Sequence, residues 1–203
     1  MIELTELQQD ALSEIFNIGM GRAANSLSRM ASDEIGLAVP TVVFATRKAA
    51  AQILAESAGE RVCSVSQRVE GEFNADAILI FPENNSLEIV RLMVGDTSLE
   101  NLSDMEQEAL SEIGNIILNA CIGTLTNILG GEFVISLPTA KVGSCWGVLE
   151  LEQRAHDETV MLVYIDFVLD RRQIHGHVAI LQDVASMPYF MRKVEHFLNS
   201  VKH

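Results

Sequence analysis

Apolar residues recur at three- and four-residue intervals through Leu7, Ala11, Ile15 and Ile18, with Leu12 and Phe16 beside them, so residues 4–30 read as an amphipathic helix. Thr5 or Asp10 can supply its early polar cap. A second helix is expected over residues 102–129. It opens with Ser103 and Glu106 in a capping-box arrangement and stops at Gly130 and Gly131. Runs rich in β-branched and alternating apolar residues predict strands at 40–45, 62–69 and 76–81, and again at 133–142, 147–151, 159–169 and 177–181. Helical spacing returns at 86–94 and 186–201, and residues 48–57 add a short extra helix. Strands grouped in sequence and joined by short connections pair antiparallel, so the pattern predicts an α+β fold with helices covering the sheet.

The order helix, strands, helix occurs twice, and the two occurrences share residues. A shift of 98 positions lays QQDALSEIFNI, residues 8–18, over EQEALSEIGNI, residues 106–116, without a gap. Further identities under that shift include Leu27 with Leu125, Pro40 with Pro138 and Thr41 with Thr139. Two long copies do not make a solenoid. They predict one domain spanning residues 1–203, a pseudo-two-fold body built from repeats at about 1–98 and 99–203, and no Pro-, Gly- or Ser-rich linker divides it.

Composition narrows the classes of function. At 48% hydrophobic and 21% charged residues, with a mean hydropathy of +0.22, the chain is too apolar to remain unfolded. Its 28 acidic against 14 basic residues give a formal charge of −14, which repels phosphate backbones and anionic lipid, so nucleic acid is excluded as an expected partner. Cys63, Cys121 and Cys145 are odd in number and far apart, as suits free thiols in a reducing compartment. The polar N-terminus does not read as a signal peptide, and no run of 18 or more apolar residues predicts membrane insertion, so the expected location is cytoplasmic.

The candidate chemistry lies on the repeated helices. At about 100° per residue, Asp10, Glu14 and Asn17 fall on one stripe, as do Glu108, Glu112 and Asn115. In both copies 22 residues separate the asparagine from a proline, Pro40 or Pro138. An asparagine in mid-helix costs several tenths of a kcal/mol relative to alanine, so its repetition at one place suggests a task.

This doubled pattern resembles the signature of the CheC/CheX/FliY family of chemotaxis phosphatases, and its two copies resemble the CheC type. The second copy has Glu108 where the family prefers Asp or Ser. The resemblance implies a CheC-like fold and hydrolysis of the aspartyl phosphate of a CheY-like response regulator, with Glu14, Asn17, Glu112 and Asn115 as the catalytic set and Asp10 and Glu108 in partner binding. It implies no cofactor or metal of the chain's own, the Mg²⁺ being supplied by the regulator, and it admits a CheD-like deamidase as a further partner. An amide can hold water in line with phosphorus, whereas a carboxylate beside a phosphoryl group repels it, so the glutamates suit docking to a basic group.

Other features carry less. Gly19 and Gly21 follow a helical turn rather than a strand, so they suit close helix packing and not nucleotide binding. His175 and His177 read as loop residues, Asp170, Arg171 and Arg172 as a charged turn, Trp146 as a buried anchor and Cys121 as a buried, inert thiol. Two rival functions use the same stripe: an adaptor or flagellar-switch-like module that docks a regulator without hydrolysis, and a metal-dependent hydrolase with carboxylate ligands.

Overall fold

The computed structural model describes residues 4–31, 33–94, 104–130, 132–150, 158–169, 172–182 and 187–201. Their elements run α1 (Glu6–Ala31), β1 (Ile35–Ala38), β2 (Val42–Thr46), α2 (Arg47–Ala58), β3 (Arg61–Gly71), β4 (Ala75–Pro82) and α3 (Glu83–Val94), then α4 (Asp104–Leu129), β5 (Phe133–Ile135), β6 (Thr139–Ser144), α5 (Cys145–Val148), β7 (Thr159–Leu169), β8 (Arg172–Gln182) and α6 (Met187–Val201). The fold is α+β, and every strand pair is antiparallel.

Thr5 caps α1. Its Oγ1 accepts the Gln8 N–H at 3.2 Å, while Gln8 Oε1 accepts the Thr5 N–H at 2.9 Å, closing a capping box. Asp10 lies inside the helix. The corresponding Ser103 lies outside the described residues. At the far end of α4 the Gly130 N–H donates to Thr126 O at 2.8 Å with φ at +72°, a left-handed stop that glycine adopts without penalty. Gly131 is outside the described residues, as are Asp170 and Arg171 of the expected charged turn.

One sheet of eight strands runs β1-β7-β8-β4-β3-β5, with β2 continuing along β7 and β6 along β3. Its register repeats under the same shift of 98. Ile35 pairs with Leu169 as Phe133 pairs with Gly71, and Val42 pairs with Val163 as Ala140 pairs with Val65. The copies are therefore interlocked: β1 and β2 of the first lie on β7 of the second, and β5 and β6 of the second lie on β3 of the first. The pseudo-two-fold axis passes between β4 and β8, where Ile78 faces Ala179 and Ile80 faces His177.

Strand alternation sends side chains to two cores. Cys63, Val65 and Val69 of β3 join Leu12, Ile15, Phe16 and Met20 of α1 and Ile113, Ile117 and Cys121 of α4. Val62, Ile78 and Ile80 face the other way, under Ala50, Ala51 and Leu54 of α2. Each fully buried large side chain contributes about 1.5–3 kcal/mol, enough to fix which face of α1 and α4 turns inward. The segment Gln107–Ile128 is apolar and long enough to cross a membrane by length and composition alone. Its Leu110, Ile113, Ile117, Leu118 and Cys121 are instead buried in the first core.

The structure corrects several expectations. Residues 147–150 are not a strand: Ser144 Oγ accepts the Gly147 N–H at 3.1 Å and starts the short α5, and a turn follows, while Leu151 lies outside the described residues. The expected strand at 133–142 splits around Pro138, which has no N–H for a ladder, and β1 was not expected. Trp146 is 40% exposed rather than a buried anchor. His175 and His177 both lie in β8 rather than in a loop, His177 as the expected strand at 177–181 has it. His175 Nδ1 pairs with Asp166 Oδ1 at 2.7 Å, and His177 is buried edge-on to Tyr164. Gly19 does serve helix packing, since a Cβ there would lie 2.7 Å from Ala120 O on α4, whereas Gly21 faces open space. Cys121 is buried, and burial pushes its thiol up to about 12.

Candidate functional site

The inward faces of α1 and α4 are fixed by the core, which turns both polar stripes outward. Asp10 and Glu14 are exposed on α1, Glu108 and Glu112 on α4, while Asn17 and Asn115 are half-buried one turn further on. All six expected residues thus lie where another molecule can touch them. The carboxylates give each stripe an acidic entrance suited to a basic group.

The 22-residue spacing has a structural cause. At the first stripe Asn17 Nδ2 donates to Val39 O at 3.1 Å, and Asn17 Oδ1 accepts the Val39 N–H at 2.8 Å. Val39 sits in the gap between β1 and β2, where neither strand's ladder continues, and it is 3% exposed. Its backbone groups need partners that water cannot supply, and the amide supplies both. Gln9 Nε2 adds a bond to Thr41 Oγ1 at 2.7 Å beyond Pro40. One N–H and one lone pair of Asn17 remain for other use.

The second stripe is built differently. Gln67, from β3 of the first copy, reaches the gap between β5 and β6. Its Nε2 donates to Ser136 O at 3.0 Å and to Asn115 Oδ1 at 3.1 Å, with Asn119 Oδ1 at 3.4 Å. Asn119 Nδ2 also donates to Asn115 Oδ1, at 2.8 Å. Both lone pairs of Asn115 Oδ1 are therefore taken. Leu137, which corresponds to Val39, is 87% exposed. Together with Glu108, Ser111, Glu112, Asn115 and Pro138 it lines an open depression of about 520 Å³. Gly114, where the first copy has Phe16, brings α4 down onto β3; a Cβ there would lie 2.6 Å from the Val65 side chain.

Another cavity, of about 450 Å³, is lined by Ser64, Ser66, Arg68, Asp76 and Lys141 among others and also reaches Gln67 and Ser136. No stripe residue lines it, and Arg68 and Asp76 are ion-paired across it at 3.0 Å. Among the described residues no group of three or more His, Cys, Asp or Glu is placed to hold a metal ion.

Sequence reasoning missed Gln67 and Asn119. The signal lay in where the copies differ, since Ile165 occupies the register position of Gln67, and Phe16 that of Gly114. Gln9 and Thr41 were visible as repeat identities, though not as partners.

Comparisons with known proteins agree with this geometry. The model of the CheC-like family matches residues 7–44, the span from the start of α1 to β2 that contains Asn17 and Pro40. The CheY-P phosphatase CheC of Bacillus subtilis (strain 168) is 24% identical over 192 residues, covering 90% of this chain and 91% of that protein. The structure of Thermotoga maritima FliY superposes with a TM-score of 0.74 at 20% identity, over 95% of this chain and 100% of that one. The FliM middle domain from H. pylori gives 0.69 at 13% identity, over 94% and 99%.

Proposed function

We propose that the chain is a CheC-like protein that hydrolyses the aspartyl phosphate of a CheY-like response regulator, a reading supported by its likeness to CheC and FliY. The observation that carries this reading is the doubled Glu-x-x-Asn stripe, turned outward on both α1 and α4 beside a strand gap. An acyl phosphate is already activated, so its hydrolysis needs a water held in line and neutralised phosphoryl oxygens more than it needs a covalent catalyst. The regulator brings its own Mg²⁺ and basic groups under this reading, which leaves the present chain to dock and to orient.

The parts available fit those tasks. Glu14 and Glu112, on exposed helix surface, pair with a basic group of the regulator and set the approach of the helix, and Asp10 and Glu108 extend the same acidic contact. The asparagine then enters the regulator's site. Asn17 retains one N–H and one lone pair, so it can accept from a water and donate to a neighbouring oxygen. Asn115 has no free lone pair and orients water or a phosphoryl oxygen by donation from Nδ2.

The test is dephosphorylation of a purified phospho-regulator in single turnover. The Asn17→Ala, Asn115→Ala double variant loses the accelerated rate while keeping its fold and weak regulator binding. Undiminished hydrolysis by that variant rejects the reading. The FliM-like neighbours leave open a second reading, in which the same face docks without hydrolysis. A native chain that binds the phospho-regulator and leaves its lifetime unchanged selects that one.

A further inference from the structure

The two stripes carry the same residues and are held by different neighbours. We propose that Gln67 is a positioning residue of the second site, holding the crevice between α4 and the β5–β6 gap open and turning Asn115 to present only its N–H groups; this rests on the phosphatase reading above. The orientation follows from one fixed point. Ser136 O is a carbonyl and can only accept, so Gln67 turns Nε2 toward it at 3.0 Å. The same nitrogen lies 3.1 Å from the Asn115 amide, which must answer with Oδ1, and Asn119 Nδ2 fills the second lone pair of that oxygen at 2.8 Å. Nδ2 of Asn115 is thereby left to whatever enters the depression that Asn115 lines.

The first site is the natural control. Ile165 occupies the register position of Gln67, is 1% exposed and offers no donor. Asn17 there closes directly on the Val39 backbone, and Val39 is buried. At the second site Gln67 bridges helix and strand gap in place of that direct clasp, and Leu137 stands in the open at the rim. Gly114 completes the arrangement, because any side chain there would strike Val65 and lift α4 from β3. The site is thus made by both copies: a helix from the second and a glutamine from the first.

Gln67→Met keeps length and bulk and removes every hydrogen bond, and Gln67→Ile copies the first site. With Asn17→Ala as background, all turnover runs through Asn115. Gln67→Met is then expected to lower kcat about tenfold or more, as loss of positioning does. KM stays within about twofold, because docking by Glu108 and Glu112 does not involve Gln67. In the native background the side-chain amide resonance of Asn115, assigned by its loss in Asn115→Ala, shifts with Gln67→Met, and this readout needs no turnover. Gln67→Ile repeats both results. The proposal falls if the resonance stays in place, if it moves without a change in kcat, or if the same fractional loss occurs in the Asn115→Ala background, where turnover runs through Asn17. A native chain without any turnover rejects the phosphatase reading instead, and the resonance still decides the geometry.

Discussion

Asn17 and Asn115 share a sequence position within their repeats, yet their replacement by alanine should cost very different amounts of stability. Asn17→Ala removes two hydrogen bonds to the backbone of Val39, a residue 3% exposed, so the abandoned N–H and C=O cannot turn to water. Each lost bond costs about 1 kcal/mol, rising toward about 2 where the partner stays buried, so the two together cost about 2–4 kcal/mol. Alanine returns roughly 0.6 kcal/mol of helix propensity, leaving a net destabilisation of about 1.4–3.4 kcal/mol. At this chain length each kcal/mol moves the midpoint by about 2–4 °C, which predicts a fall of about 3–14 °C. Asn115→Ala gains the same propensity and gives up bonds to Asn119, which is exposed, and to Gln67 Nε2, which keeps Ser136 O. Its midpoint should stay within about 2 °C of the native value. Circular dichroism melts of both single variants at one pH decide the matter. Equal shifts, or a larger one for Asn115→Ala, would refute the assignment of Asn17 as a clasp on the strand gap. The asymmetry also bears on kinetics. A rate lost with Asn17→Ala must be corrected for folded fraction, while Asn115→Ala reports chemistry directly.

Two further outcomes follow from the same geometry. Gly19→Ala should destabilise by about 1–3 kcal/mol, because its Cβ meets Ala120 O at 2.7 Å and the two long helices must part, whereas Gly21→Ala, with nothing within 4 Å, should stabilise by about 0.5–1 kcal/mol; opposite signs in urea unfolding check this. His177 is held neutral in the folded chain, its pKa lowered to about 4, chiefly by burial and further by the nearby His175. Unfolding restores an ordinary histidine near 6.5, so the unfolded chain binds the extra proton between the two values. The contribution is fully present above about pH 6.5 and is lost as pH falls toward 4, a change of at most about 3 kcal/mol. Urea midpoints should therefore fall with acidification over that window less steeply in His177→Leu than in the native chain, and parallel curves would refute it.

What the sequence disclosed and what it withheld divide along the range of the forces concerned. Both long helices and their outward stripes were legible because a helix face is set by spacing within a few residues, as with Leu12, Ile15 and Phe16. Thr5 was likewise legible as a cap, with Asp10 as the alternative, whereas its partner Gln8 was not read. The exchange of strands between copies was not legible, since nothing local to residues 35–46 says that their partner is β7 rather than β3. His175 was misplaced beside Gly176, which reads as a turn signal. In the structure Gly176 lies mid-strand, and it is glycine because a Cβ there would strike the ring of Phe81 at 2.2 Å. Residues 147–151 alternate like a strand, but Ser144 offers a helix cap first. Gln67 sits in an ordinary strand pattern, and only its register opposite the β5–β6 gap reveals what it holds.

Strand exchange also explains how identical stripes come to sit in unequal settings. In a duplicated chain whose halves fold apart, a change in one copy alters one site and its own support together. Here the hairpin of each copy lies under the helix and strand gap of the other, so a substitution in β3 acts on the site of the second copy and leaves the first copy's Asn17 untouched. Gln67 against Ile165 is such a change. It adds a polar group to a strand face that is otherwise core, and Gln67 Oε1 is left buried without a partner, a cost of about 1–3 kcal/mol that isoleucine does not incur. A penalty of that size at a position where the sister copy shows the apolar solution is accounted for if the donor is needed at Asn115 and Ser136. Gln67→Ile should on that ground leave the melting midpoint unchanged or raised while the second site loses turnover, the opposite of what removing a purely structural bridge would do.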